Sequence, residues 1–125
     1  MEDGFYLQEE EKVAKSLPLE TLKREKDFKN LLNSGLNFKT DIARFFYSRK
    51  DNFPIRYGIV VSKKLGNSVT RNKIRRLFRE ALRIKTDLII MPVDFVIMPY
   101  KFCGDVEFSR IVTGIDKFIE FISKR

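Results

Sequence analysis

The sequence predicts one sandwich of α+β or α/β type, with helices packed on a small sheet. Three observations carry this. Two runs, Tyr57–Ser62 (YGIVVS) and Val93–Met98 (VDFVIM), have the β-branched and aromatic character of buried strands. Residues 68–85 and 107–123 place apolar side chains at helical spacing. The order is helix, two or three strands, basic helix, strand, helix, within a chain of 125 residues that suits one domain.

The elements follow in order. Residues 1–18 read as an extension ending at Pro18. A first helix is expected from about Thr21, a possible N-cap, to Asn33, with Leu22, Phe28, Leu31 and Leu32 as its apolar stripe and Ser34-Gly35 as its stop. From Phe38 to Arg49 the chain turns extended around Phe45, Phe46 and Tyr47, and Asp51-Asn52-Phe53-Pro54 supplies a turn. After the strand Tyr57–Ser62, Lys63, Lys64 and Leu65 lead to Gly66, where Asn67 or Ser68 can cap a long helix running to about Lys85. In that helix Ile74, Leu77, Phe78, Ala81 and Ile84 gather on one side at about 100° per residue, and Arg71, Asn72, Arg75, Arg76, Arg79 and Arg83 on the other. Pro92 opens the next strand and Pro99 closes it. The last helix carries Phe108, Ile111, Val112, Ile115, Ile119 and Ile122 on its apolar stripe.

Charge narrows the function. The formal net charge is +8, which favours a polyanionic partner, either nucleic acid or an anionic membrane. It is unevenly spread. Residues 1–20 hold six acids against two bases, a balance of −4, which leaves +12 on residues 21–125. The acidic lead, expected to be a flexible, solvated extension to a single domain over 21–125, has a second reading as a segment resting on the basic surface. Cys103 is the only cysteine and there is no histidine, so an internal disulfide and a Cys/His zinc site are both excluded. No apolar run approaches the ~20 residues of a membrane-spanning helix, and the acidic start lacks the character of a signal peptide. A cytoplasmic, reducing setting is the expectation.

Protein-borne catalysis finds little support. There is no phosphate-binding glycine loop, no histidine base, and no Ser–His or Cys–His pair. Ser62 beside Lys63 and Lys64 reads as an inert strand-end serine, and Asp94, Asp105 and Glu107 fit no two-metal spacing. Binding is better supported. Arg56 to Lys85 holds ten bases and one acid, Glu80. A merely solvated face would intersperse signs, whereas Arg71, Arg75, Arg79 and Arg83 stand four apart, an arrangement that costs stability unless a polyanion neutralises it. Guanidinium suits bidentate contact with phosphate. Phe28, Phe45, Phe46 and Tyr47 have two readings, as stacking platforms for unpaired bases or as ordinary core, with core the better for any single Phe. A DNA reader is disfavoured, because a helix-turn-helix wants a helix just upstream where Tyr57–Ser62 reads as strand.

The run RYGIVVSKKLGNSVTRNKIRRLFREALR, Arg56 to Arg83, resembles the signature of the bacterial ribonuclease P protein subunit family: a strand ending in Ser-Lys-Lys, a Gly-Asn pair, then Val-x-Arg-Asn-(Arg/Lys)-Ile-(Lys/Arg)-Arg-x-x-Arg-Glu. Weaker similarity extends over about residues 21–124, through Leu22-Lys23, Asp27-Phe28, Gly35 and Asp94–Ile97. The resemblance implies an α+β two-layer sandwich of order α-β-β-β-α-β-α with a left-handed β-α-β crossover. It implies a partnership, one to one, with a catalytic RNA that removes the 5′ leader of precursor tRNA using Mg²⁺ bound mainly through RNA and substrate. On the same basis Lys63, Lys64, Arg71, Asn72, Lys73, Arg75, Arg76, Arg79 and Arg83 would face RNA, while Phe28 and Phe45 would line a cleft for the single-stranded leader. No protein residue is implied to be catalytic, and no membrane is involved. The alternative is a non-catalytic RNA-binding or ribosome-associated module. Three departures stand out: Lys73 where Arg is common, Ser68 for Ala, and the acidic residues 1–18, which have no counterpart.

Overall fold

The computed structural model describes residues 19–34, 36–100 and 107–124. Its elements are β1 (Leu19–Thr21), α1 (Glu25–Leu32), β2 (Asn37–Lys39), β3 (Ala43–Arg49), β4 (Ile55–Ile59), a 3₁₀ turn (Lys63–Leu65), α2 (Ser68–Lys85), a second 3₁₀ turn (Thr86–Leu88), β5 (Val93–Pro99) and α3 (Phe108–Ser123). The strands form one sheet in the order β1-β4-β5-β3-β2. β1–β4 and β4–β5 are parallel, while β3 pairs antiparallel with both β5 and β2. The parallel crossover is β4-α2-β5, so the basic helix connects two neighbouring parallel strands and packs on one face of the sheet.

Strand alternation divides the core between the two faces of the sheet. On one face Phe45, Tyr47, Ile55, Phe95 and Ile97 join Ile74, Phe78, Ala81 and Leu82 of α2 and Ile111, Ile115, Phe118, Ile119 and Ile122 of α3. On the other, Phe46 and Val96 lie under α1 with Leu22 and Leu31. Phe118 is the hub of the larger cluster: its ring stacks on Phe45 at 4.5 Å between centroids and meets Phe95 at 5.3 Å. Gly114 lets α3 approach the β2–β3 bend, since a Cβ there would come within 2.7 Å of Ile42.

Several expectations change in detail. Thr21 caps no helix; it ends β1, and α1 begins at Glu25 with Arg24 in the cap position. The folded body therefore includes Leu19 and Glu20, assigned from sequence to the extension. The stretch Phe38–Arg49, expected to be extended, is a hairpin turned at Thr40, which gives the larger of the two expected strand counts: the Thr40 hydroxyl donates to the Ala43 carbonyl and accepts from the backbone amides of Ile42 and Ala43. On α2 the buried face includes Leu82, and Ile84 is 56% exposed. These two lie about 160° apart around a helix, so the face is turned from the expected one towards Leu82. Cys103, Asp105 and residues 1–18 lie outside the described residues.

One ion-pair cluster ties α1, β4 and β5 together. Arg56 of β4 donates from Nε and Nη2 to the two carboxylate oxygens of Asp94 in β5 at 3.1 and 2.6 Å, and from Nη1 to Asp27 of α1 at 3.4 Å. Lys50 reaches the same Asp94 carboxylate at 2.7 Å. Burial pushes the Asp94 carboxyl up, but the hydrogen bonds from Arg56 and Lys50 and the charges of both bases outweigh it and hold it below the usual carboxylate range. Arg56 is raised in turn, chiefly by its hydrogen bond to Asp94.

Two outcomes are expected. Phe118→Ala should cost about 3–5 kcal/mol in urea unfolding, as for other buried Phe truncations, whereas Ile84→Ala should stay within about 0.5 kcal/mol. For Asp94, the unfolded carboxyl titrates near about 3.9 and the folded one lower, so the unfolded state binds more protons in that window and stability rises with pH there. The stability gap between the native sequence and Asp94→Asn should be full above about pH 4 and close as pH falls through the folded value. A gap independent of pH would remove the assigned ion pair.

Candidate nucleic-acid interface

The site begins at the end of β4. Ser62 closes the 3₁₀ turn, its hydroxyl accepting from the Lys64 amide at 3.2 Å, and this exposes the side chains of Lys63 and Lys64. Gly66 has φ +141°, a conformation that L side chains rarely adopt. Its turn sets Asn67 to cap α2, with the Asn67 side chain accepting from the Thr70 amide at 3.0 Å. From there α2 buries Ile74, Phe78, Ala81 and Leu82 and turns its basic residues outward.

The outward face is differentiated. Asn72, Lys73, Arg76, Arg79 and Arg83 are exposed, and Arg71 and Arg75 half-buried. Arg71 donates to the Gly66 carbonyl at 3.2 Å and Arg75 to the Asn72 side chain at 2.9 Å, so both forks are oriented by neighbours. Arg83 pairs with Glu80, and Lys85 lies 3.6 Å from Asp116 of α3. Lys63, Lys64, Lys73, Arg76 and Arg79 have no ion-pair partner among the described residues.

Beside this face lies a cleft of about 140 Å³ lined by Thr21, Leu22, Phe28, Tyr57, Gly58, Ile59, Arg75 and Arg79. β1 pairs with β4 only as far as Thr21 opposite Tyr57, so Gly58 and Ile59 lie past the end of the edge strand. α1 forms one wall and α2 the other. The ring of Phe28 lies directly on Gly58: a Cβ there would come within 2.3 Å of Phe28 Cε1.

Of the two aromatics expected in a cleft, the structure brings only Phe28 there. Phe45 is fully buried and stacked on Phe118, beneath α3. Strand alternation points it to the α2/α3 face, away from α1, so it cannot touch a ligand in this cleft. Tyr57 and Gly58 were not singled out from sequence as cleft residues. The signal was available at Gly58, since an isolated Gly inside a strand marks a bulge or the close approach of another group; here the group is Phe28.

Comparison with known proteins gives the family and the fold. The family model described as Ribonuclease P matches residues 18–123. A ribonuclease P protein component of Clostridioides difficile is 34% identical over 105 residues, covering 83% of this chain and 89% of the relative. One from Bacillus velezensis is 33% identical over 90 residues, covering 71% and 77%. Among solved structures, the RNase P protein of Staphylococcus aureus superposes with TM-score 0.71 at 25% identity, covering 82% of this chain and 94% of that one. The protein from Thermotoga maritima gives 0.72 at 24%, covering 80% and 94%, which supports the fold. With a family match that runs from the start of β1 through the cleft and the whole of α2 to the last turn of α3, this chain belongs to the ribonuclease P protein family.

Proposed function

We propose that the chain assists the catalytic RNA of ribonuclease P in removing the 5′ leader of precursor tRNA, by holding the leader and strengthening the affinity for substrate and Mg²⁺. The observation that supports this best is the pairing of walls in one cleft: Phe28 on α1 faces Arg75 and Arg79 on α2. The half-buried Phe28 ring lines the cleft, where an aromatic side chain offers stacking to an unpaired base and guanidinium forks offer contacts to the phosphates on either side. Arg76, Lys73, Lys63 and Lys64 continue the cationic surface outside the cleft, where the partner RNA would lie.

Among the described residues no three Asp, Glu, Cys or His side chains come together as a metal site. In this reading Mg²⁺ is held by RNA and substrate phosphates. The protein's effect on it is indirect: cationic side chains lower the repulsion between two RNAs brought together, so fewer bound ions are needed. A cytoplasmic setting and a one-to-one complex belong to the same reading. No helix among the described residues is long and apolar enough to cross a membrane.

Reconstitution with ribonuclease P RNA at low Mg²⁺, assayed on precursor tRNA, should show faster leader removal. Absence of stimulation would sink the proposal and leave an RNA-binding module of other purpose. Arg79→Ala should weaken RNA binding by about tenfold, roughly 1.4 kcal/mol, and lower the slope of log K against log salt by about one. Its melting temperature should barely move, because Arg79 is exposed.

A further inference from the structure

We infer that Arg56 is a positioning residue for the cleft: clamped in the sheet by Asp94, it reaches Asp27 and fixes where α1 carries Phe28. This rests on the leader-binding reading of the cleft and adds to it the device that sets the cleft's width.

The two walls are unequally anchored. α2 spans 18 residues and buries four side chains. α1 has eight residues, no side-chain cap at its start, and one buried side chain, Leu31. Any variation in the gap therefore comes mainly from α1. Two contacts hold its first turns to β4. Arg56 and Gly58 are alternate residues of β4 and point to the same face. Asp27 and Phe28 are successive residues of α1. The Phe28 ring against the bare Gly58 backbone is an apolar contact without hydrogen-bond direction, whereas the Arg56–Asp27 pair adds a second, directional point at 3.4 Å.

Arg56 suits this role because its guanidinium is held at two points by the sheet. Two of its nitrogens are bound to Asp94 in fork geometry, leaving Nη1 aimed at α1. Lys50 shares Oδ1 of Asp94 with Arg56 Nε, so both carboxylate oxygens are already occupied by Nε, Nη2 and Lys50, and Nη1 is the nitrogen that reaches Asp27. A lysine at position 56 would lose the fork and with it the direction.

Asp27→Ala separates positioning from general stability, because it leaves the Arg56–Asp94 fork intact. The test measures affinity of the reconstituted ribonucleoprotein for precursor tRNA with a leader and for the same tRNA without one. Asp27→Ala should weaken leader-bearing substrate roughly three- to tenfold, in the range of mutations acting through a packed neighbour, and leaderless tRNA less than about twofold. Asp27→Glu should restore most of the loss. Gly58→Ala should give the same leader-specific loss by another route, since its Cβ must displace Phe28. Equal losses on both substrates, or none on either, with the native protein still preferring the leader, would overturn the positioning role alone. A native protein with no leader preference would overturn the leader reading and this inference with it.

Discussion

A helix whose own charges repel must be held by something else, and on α2 that is the burial of Ile74, Phe78, Ala81 and Leu82. The like-charge pairs Arg71/Arg75, Arg75/Arg79 and Arg79/Arg83 each cost about 0.2–0.5 kcal/mol. Full burial of a large apolar side chain returns about 1.5–3 kcal/mol, and three of these four residues are in that class. Burial exceeds the repulsion among these pairs several-fold. The large cluster around Phe118 therefore underwrites the interface without touching it: removing core on the α3 side loosens the support beneath the arginines.

The cleft depends on a second asymmetry. Its α2 wall is continuous with the core, while its α1 wall rests on a small cluster of Leu22, Leu31, Phe46 and Val96. Gly58 brings the two walls into one site, because any larger residue would lift the Phe28 ring off β4. The early end of β1 opposite Tyr57 leaves that part of β4 uncovered at the sheet edge. A short edge strand, a strand glycine and a short helix, each a weak element by itself, combine into a concave surface with an aromatic floor.

Much of this was legible in the sequence, for reasons that differ by element. α2 was readable at its start, since Gly66 and Asn67 are a positive-φ turn and a cap with defined chemistry. Its charged face was readable because seven bases against one acid leave no other arrangement. Its apolar face was less so: Ile84 and Leu82 both extend plausible stripes, and only the packing of α2 against the sheet and α3 selects Leu82. β1 was missed because three residues, Leu19–Thr21, carry no periodicity, and their pairing with Ile55–Tyr57 is a tertiary event. Phe45 and Phe46 are indistinguishable by composition. Both are buried, on opposite faces, and which helix each meets follows from topology, not propensity.

The distribution of acids completes the electrostatic picture. Several carboxylates around the sheet and helices are already engaged: Asp94 with Arg56 and Lys50, Asp27 with Arg56, Glu80 with Arg83, Asp41 with Arg110, and Asp116 near Lys85. Such pairs cancel at a distance and contribute little field. Lys63, Lys64, Lys73, Arg76 and Arg79, none with an ion-pair partner among the described residues, lie together in the stretch from the end of β4 through α2, so their fields add over a contiguous surface. With screening over about 10 Å at 0.1 M salt, that surface is felt by a polyanion only near contact. Long-range attraction is then modest at physiological salt, and selection among RNAs falls to the short-range geometry of the cleft. That is why the placement of Phe28, a single ring on a weakly anchored helix, matters as much as the total charge opposite it.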